Sequence, residues 1–169
     1  MREVVIAGGG MHPCGRFGDK SYVDMGREAV VAALKDANVS WSEVQAAYCA
    51  RMYLPATSGA RILTTIGMTG IPIADVEAAC ASGAVALSQA YMAIASGFYD
   101  AVLAFGVEKM PRGFMDPAAI YEDWQIRMGL AVNPMYWAIL AKRHMADYGT
   151  TALQMAKVSV KNHRNASGH

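Results

Sequence analysis

The chain has 169 residues, of which 54% are hydrophobic and 17% are charged, and its formal net charge is +1. This composition excludes a disordered chain, and it offers no basic surface of the kind that binds nucleic acid, so we expect no nucleic-acid partner. Three cysteines in dissimilar contexts argue against a disulfide framework and favour a reducing, cytoplasmic location.

The hydrophobic pattern predicts strands alternating with helices over the first 107 residues. The first predicted helix has small and apolar residues three and four positions apart, and Asn38 can close it. The order β-α-β-α-β-α-β predicts an α/β layered domain with a largely buried sheet. The predicted strands cover residues 4–7, 44–53, 73–79 and 101–107, and the predicted helices cover residues 22–37, 58–68 and 81–96.

The stretch over residues 78–99 carries no charge and therefore mimics a membrane span. However, Ala, Ser and Gly dominate it rather than Leu and Ile, and it contains Gln89. We interpret it as a strand end followed by a buried helix that Gly97 closes, and we expect no membrane span.

After Met110 the pattern changes, because prolines and glycines interrupt residues 110–133. A segment of this length without a clear element is typical of a lid or a binding loop. A helix is predicted over residues 135–148, and another begins at Thr150 or Thr151, with Gln154 as a capping-box partner of Thr151. We therefore divide the chain into an α/β part at 1–110, a loop region with short helices at 111–149, and a last helix at 150–169.

Two common ligand-binding patterns fail on inspection. The glycines at 8–10 follow a predicted strand, but a dinucleotide-binding turn needs a third spaced glycine and an immediate helix, so we predict a strand-ending turn. The four histidines lack metal-ligand spacing, and no metal site is predicted. The basic cluster at 142–144 could contact a phosphate, but a solvated helix face is the simpler interpretation.

Cys80 lies where a predicted strand meets a helix. Backbone N–H groups in a first helical turn are unpaired and carry partial positive charge, which favours a thiolate and can receive an oxyanion. The next residues, Ala81 to Gly83, are small and leave room for a substrate, and a sharp strand-to-helix turn exposes a nucleophile. From the residues alone, a buried and inert cysteine remains the alternative. Cys14 in a loop and Cys49 in a strand are weaker candidates.

Three segments resemble one known family, the thiolases, and are most similar to the branch related to the sterol-carrier-protein thiolases. The nucleophile segment of that family resembles DVEAACASGAVALSQAYMAIASGFYDAVLAFGVEKM, which begins at Asp75. The loop after the family's first strand is similar to CGRFGD, at Cys14 to Asp19. A segment at the end of the family's loop region is similar to AKRHMADYGTTALQMAKVSVKNHRNA, at Ala141 to Ala166.

The resemblance implies a coenzyme A-dependent acyltransferase with the N-terminal half of a layered thiolase fold. The cysteine that matches Cys80 attacks the 3-keto carbon of a 3-oxoacyl-CoA, keeps the acyl group on sulfur and passes it to coenzyme A. Coenzyme A and acetyl-CoA are substrates in this scheme, and no tightly bound cofactor is expected. The resemblance also implies that RMG, at Arg127 to Gly129, matches a loop whose methionine lines the acyl or pantetheine channel, which makes Met128 a candidate substrate-binding residue.

The chain departs from the family in length. Thiolases have two similar halves, and the second catalytic cysteine and the catalytic histidine of the family come from the C-terminal half, which has no match here. These 169 residues are therefore expected to correspond to the N-terminal half and not to turn over substrate alone.

Three functions stay open at this point. The first is a thiolase, and the second is a thiolase-fold lyase that cleaves an aldol adduct of a coenzyme A thioester. The third is a non-catalytic half that binds a partner chain, such as a small acyl-CoA-binding subunit. The resemblance also implies a homodimer or homotetramer in which the strand before Cys80 continues the sheet between subunits.

Overall fold

The computed structural model describes residues 2–110, 112–113 and 116–167. These residues form two compact units, Met1–Pro111 and Arg112–His169, which we describe separately.

Helix α1 of the first unit shows how local sequence sets the element bounds. It spans Tyr22–Ala37, begins with a reciprocal capping box between Ser21 and Asp24, and ends at Asn38 in the left-handed conformation (φ 53°). The other elements of the unit are β1 (Ala46–Ala50), α2 (Ser58–Leu63), β2 (Ile73–Val76), α3 (Ser82–Ala95) and β3 (Val102–Gly106), with short 3₁₀ turns at Trp41–Glu43 and Ala79–Ala81.

The three strands form a parallel sheet in the order β2-β1-β3. In the central strand, Ala47 lies between Ile73 of β2 and Leu103 of β3. The chain moves outward from β1 through α2 to β2, and then back across β1 through α3 to β3. Right-handed crossovers of opposite direction place α2 and α3 on opposite faces of the sheet. The predicted α/β class is therefore confirmed.

The core of the first unit lies between α1, α2 and the sheet. Its buried cluster consists of Val30, Val44, Ala47, Leu63 and Leu103. Four of the five residues of β1 are buried, as expected for a central strand that helices cover on both faces.

The predicted strand over residues 4–7 is wrong. These residues form no ladder, and Val5 and Ile6 are 72% and 82% exposed. The glycines that follow lie against α1 instead of ending a strand. A Cβ atom would lie 2.4 Å from the Ala37 nitrogen at Gly8 and 2.2 Å from the Ala33 nitrogen at Gly10, so the run packs on helix backbone where side chains do not fit.

Two predicted helices also differ from the structure. Helix α2 ends at Leu63 rather than at residue 68, since the hydroxyls of Thr64 and Thr65 donate to the carbonyls of Arg61 and Ile62 and compete with helix continuation. Helix α3 is buried on one face only.

The buried face of α3 presents small residues to the strands, while its outer face is half exposed. Among the described residues, no helix combines the length and the hydropathy that crossing a bilayer requires.

The second unit consists of helices joined by turns. It contains a 3₁₀ turn at Pro117–Ala119 and the helices α4 (Asp123–Arg127), α5 (Asn133–Tyr148) and α6 (Ala152–Ala166). Gly149, with φ of 67°, ends α5, and the predicted capping box of Thr151 with Gln154 begins α6. Parts of the predicted lid or loop region, at 111 and 114–115, lie outside the described residues.

Candidate active site

The candidate site lies at the carboxyl edge of the parallel sheet. Because the strands are parallel, the segments after Ala50, Val76 and Gly106 leave the sheet at the same edge. This edge is where open α/β sheets bind ligands. Charged and polar side chains follow each of the three strands there.

Asp75 and Arg51 join β2 to the segment after β1. Arg51 Nε donates to Asp75 Oδ2 over 2.9 Å, and the two side chains are only 21% and 12% exposed. The same carboxylate accepts hydrogen bonds from the backbone N–H groups of Ser58 (3.0 Å) and Gly59 (2.9 Å), at the first turn of α2. Asp75 therefore neutralises a half-buried guanidinium and caps a helix at the same time.

Glu108 joins β3 to the same segment. Its Oε2 accepts hydrogen bonds from the backbone N–H groups of Met52 (2.9 Å) and Tyr53 (3.1 Å). The next residue, Lys109, donates from Nζ to the carbonyls of Gly18 (3.2 Å) and Lys20 (2.6 Å). The segment after β1 is thus held from both neighbouring strands.

The turn that carries Cys80 has an unusual backbone. Ala79, directly before the cysteine, is in the left-handed region with φ of 49°, which is uncommon for a residue with a Cβ atom. Its N–H donates to Glu77 Oε1 over 2.6 Å. Its carbonyl accepts from Ser82 Oγ over 2.7 Å, and the same hydroxyl oxygen accepts from the Ala78 N–H over 2.8 Å.

The Cys80 side chain is exposed at the start of α3. The space over Gly83 is open, since a Cβ atom there would have no neighbour within 4 Å. The expected unpaired N–H groups are not all present, because the N–H groups of Ala81 and Ser82 donate to the carbonyls of Ala78 and Ala79. The arrangement presents an exposed thiol beside open space to a ligand that approaches from solvent.

Tyr53 lies within electrostatic reach of Cys80. Desolvation raises the pKa of its phenol, and the negative charges of Cys80, Glu108 and Glu77 raise it further. The phenol therefore keeps its proton to a higher pH than an isolated tyrosine does.

The other two cysteines lie in contrasting surroundings. Cys14 is exposed in the loop before α1, and Cys49 is buried in β1, as their sequence contexts predicted. Burial raises the pKa of the Cys49 thiol to about 12, and the neighbouring Asp75 carboxylate raises it as well. Cys49 is therefore a protonated core residue rather than a nucleophile.

Met128 belongs to the second unit. It is the C-cap residue of α4 and is 77% exposed. Its assignment as a substrate-binding residue stays a prediction.

The basic residues of the second unit are solvated, as expected. Lys142, Arg143 and His144 are exposed on α5, and Arg143 pairs with Asp147 one turn later (2.6 Å). Across the part of the chain that the structure describes, no group of three His, Cys, Asp or Glu side chains is placed to hold a metal ion.

The side chains that hold the site together were not predicted from the sequence. Asp75 and Glu108 each carried a signal, because a lone carboxylate within or directly after an apolar strand needs a partner. Glu77 and Ser82 carried no signal in the sequence. Their contacts depend on the left-handed conformation of Ala79, which cannot be predicted from the presence of an alanine.

Residues 4–168 match the family described as Thiolase, N-terminal domain. Acetyl-CoA acetyltransferase of Methanothermobacter thermautotrophicus is 39% identical over 179 residues, covering 100% of this chain and 46% of that protein. Sterol carrier protein 2 of Bos taurus is 35% identical over 182 residues, covering 97% of this chain and 33% of that protein. A solved structure described as Ltp2-ChsH2(DUF35) aldolase has a TM-score of 0.63 and 25% identity, covering 86% of this chain and 38% of that chain. The chain thus spans less than half the length of these relatives.

Proposed function

Because the chain belongs to the thiolase family through its N-terminal domain, we propose that it forms part of a coenzyme A-dependent acyltransferase whose acyl carrier is Cys80. The observation that carries the proposal is the position of Cys80, which is exposed on a constrained turn at the start of α3. The family match and the acetyltransferase relative support the reaction class.

The proposed reaction has two half-reactions. The Cys80 thiolate attacks the 3-keto carbon of a 3-oxoacyl-CoA, and the resulting oxyanion is stabilised by N–H donors. The bond between C2 and C3 then breaks, its electron pair passes to C2 of the departing acetyl-CoA, and an acid protonates that carbon. The acyl group remains on Cys80 Sγ until the thiol of a second coenzyme A attacks, loses its proton to a base and releases the thiolate.

The residues of this chain have separate roles in the proposed scheme. Cys80 is the nucleophile, and Met128 contacts the acyl or pantetheine chain. The acid and the base of the second half-reaction are assigned to residues outside this chain, since the relatives are more than twice as long. Coenzyme A and acetyl-CoA act as substrates, with no tightly bound cofactor.

A covalent trapping experiment tests the proposal. The natural full-length protein is incubated with a 3-oxoacyl-CoA, quenched in acid and mapped by mass spectrometry. We expect the acyl group on the peptide that contains Cys80, and we expect Cys80→Ala to lower turnover by about 10³-fold or more. Cys14→Ala, which removes another exposed cysteine, is the matched control and should keep turnover within about twofold. An acyl group on Cys14, or near-normal turnover of Cys80→Ala, contradicts the proposal.

A lyase is the second candidate, and the similarity to a structure described as an aldolase favours it. In that reaction the hydroxyl proton of a 3-hydroxyacyl-CoA passes to a base and the bond between C2 and C3 breaks. A carbonyl compound leaves, and the electron pair forms a thioester enolate that is then protonated. No acyl-cysteine forms. Release of a carbonyl product by Cys80→Ala would therefore distinguish the lyase from the acyltransferase.

Two partners are proposed, one from the free edge of the sheet and one from the similarity to the aldolase structure. Strand β2 is an edge strand of the described sheet, which leaves one side free to pair. We propose that β2 continues the sheet into a second copy, in a homodimer or homotetramer. A small acyl-CoA-binding subunit is a further proposed partner, and the pairing of Ltp2 with ChsH2(DUF35) in the aldolase structure supports it.

A further inference from the structure

The turn before Cys80 depends on a conformation that its own residue disfavours. Ala79 has φ of 49°. This conformation is unfavourable for an alanine because its Cβ atom comes too close to the following carbonyl oxygen. Such a residue persists only where its surroundings hold it.

Both backbone polar groups of Ala79 are held by side chains. Glu77 Oε1 accepts from its N–H over 2.6 Å, and Ser82 Oγ donates to its carbonyl over 2.7 Å. Ser82 is 6% exposed, and its hydroxyl oxygen also accepts from the Ala78 N–H over 2.8 Å. One buried hydroxyl therefore links the N–H of the Glu77–Ala78 peptide to the carbonyl of the Ala79–Cys80 peptide.

The position of the thiol depends on this hydroxyl. Cys80 follows Ala79 directly, so the dihedral angles of Ala79 set the direction in which the Cys80 side chain leaves the turn. Without the Ser82 hydroxyl, the Ala78 N–H loses its partner and the Ala79 carbonyl keeps only the backbone N–H of Ser82. Fewer contacts then hold Ala79 against relaxation to a right-handed conformation. That relaxation changes the direction in which Sγ leaves the turn before α3.

We infer that Ser82 is a positioning residue for the Cys80 nucleophile and that Glu77 supports it, together holding Ala79 in its left-handed conformation. This inference rests on the proposed function, because it deepens the account of the same nucleophile. Ser82 acts on the reaction only through the backbone before Cys80.

The test compares variants of the natural full-length protein. The rate of Cys80 alkylation by iodoacetamide, mapped by mass spectrometry, is measured beside kcat and KM for a 3-oxoacyl-CoA. Ser82→Ala should lower the alkylation rate and kcat by about tenfold while KM stays within about twofold. Ser88→Ala, an exposed serine on the same helix, is the matched control and should leave all three values unchanged.

A rescue variant separates positioning from a general loss of structure. Glycine adopts left-handed φ without strain, so Ala79→Gly combined with Ser82→Ala should regain at least about threefold of the lost alkylation rate. Failure of this rescue, or an alkylation rate in Ser82→Ala equal to or above that of the wild type, overturns the inference.

Glu77 provides a second route if Ser82→Ala does not fold, because Glu77 is exposed. Glu77→Ala should slow alkylation about threefold, whereas Glu77→Gln keeps an acceptor oxygen and should react as the wild type does. Equal rates in the two variants overturn the inference. The alkylation rate reports only the setting of Cys80, so its outcome is independent of whether Cys80→Ala retains turnover, which would refute the proposed function alone.

Discussion

Cys49 and Cys80 carry the same side chain in opposite surroundings. Cys49 is buried, and its pKa is raised from 9.0 to about 12, chiefly by desolvation. The folded chain therefore keeps the Cys49 proton in a range where the unfolded chain has released it. This contribution to stability is complete below about pH 9 and is lost as the pH rises towards about 12.

We predict that Cys49→Ala flattens the alkaline loss of stability. The free energy of unfolding of the wild type should fall between about pH 8 and about pH 10.5 more steeply than that of the variant, by at most about 1.4 kcal/mol per pH unit, the limit for one proton. Urea unfolding at both pH values measures the two slopes. Cys14→Ala is the control, since an exposed cysteine should not change the slope. Equal slopes for Cys49→Ala and the wild type would contradict the assigned cause.

Asp75 accepts hydrogen bonds from three donors, which are the Arg51 guanidinium and the backbone N–H groups of Ser58 and Gly59. Its loss leaves the Arg51 guanidinium and the Ser58 and Gly59 N–H groups without their partner in a half-buried place. We predict that Asp75→Ala lowers the free energy of unfolding by about 2–4 kcal/mol. Asp147→Ala removes a salt bridge between exposed residues of α5 and should cost less than about 0.5 kcal/mol. Chemical denaturation of both variants measures the difference, and similar small losses would show that the Asp75 network contributes little.

At the scale of elements, the loop before α1 is held against that helix by close backbone contacts. Gly9 donates its N–H to Asp36 Oδ2 over 2.9 Å, and its neighbours Gly8 and Gly10 lie against the helix backbone. We predict that Gly10→Ala releases this run, because the new Cβ atom would lie 2.2 Å from the Ala33 nitrogen.

Hydrogen exchange of the peptide over residues 2–10 measures this release. Exchange should become at least about tenfold faster in Gly10→Ala. Gly9→Ala is the matched control, because a Cβ atom there would have no neighbour within 4 Å, and its exchange should stay within about threefold of the wild type. Unchanged exchange in Gly10→Ala would mean that the run does not depend on the close approach.

The elements that the sequence predicted well are those whose signals are local. The bounds of α1 follow from the capping box at Ser21 and the left-handed Asn38, and the start of α6 follows from Thr151 and Gln154. The strand predicted at residues 4–7 failed because strand formation needs a neighbour, and apolar character alone does not supply one. The length of α2 was overestimated because the hydrophobic periodicity gives no information on the side-chain hydrogen bonds that Thr64 and Thr65 donate to backbone carbonyls.

The candidate site was predictable only in part for a related reason. The junction of strand and helix around Cys80 can be read from neighbouring residues, whereas the contacts that join the three strand ends come from residues distant in sequence. Glu108 reaches the N–H groups of Met52 and Tyr53 across 56 and 55 positions of sequence. Such contacts depend on the strand order β2-β1-β3, which a single sequence does not state.

At the scale of the whole molecule, the outer face of α3 is the feature with the largest consequence. The sequence predicted a helix covered on all sides, but Leu87, Tyr91 and Met92 are 53%, 47% and 54% exposed. A contiguous apolar patch of several hundred square ångströms is typical of an interface. At about 25 cal/mol per Å², leaving such a patch in water costs several kcal/mol, a large fraction of the net stability of a domain.

We therefore predict that residues 1–169 expressed alone associate and bind a hydrophobic dye through this face. Replacing both Leu87 and Tyr91 with Gln should lower dye fluorescence at least about twofold and shift the species seen by light scattering towards the monomer. Ser88→Gln adds the same side chain to the same helix without removing apolar surface, and it should change neither value. A wild-type segment that is monomeric at micromolar concentration, binds little dye and unfolds in one cooperative transition would contradict this prediction. That result would favour an autonomous binding module over one half of an acyltransferase.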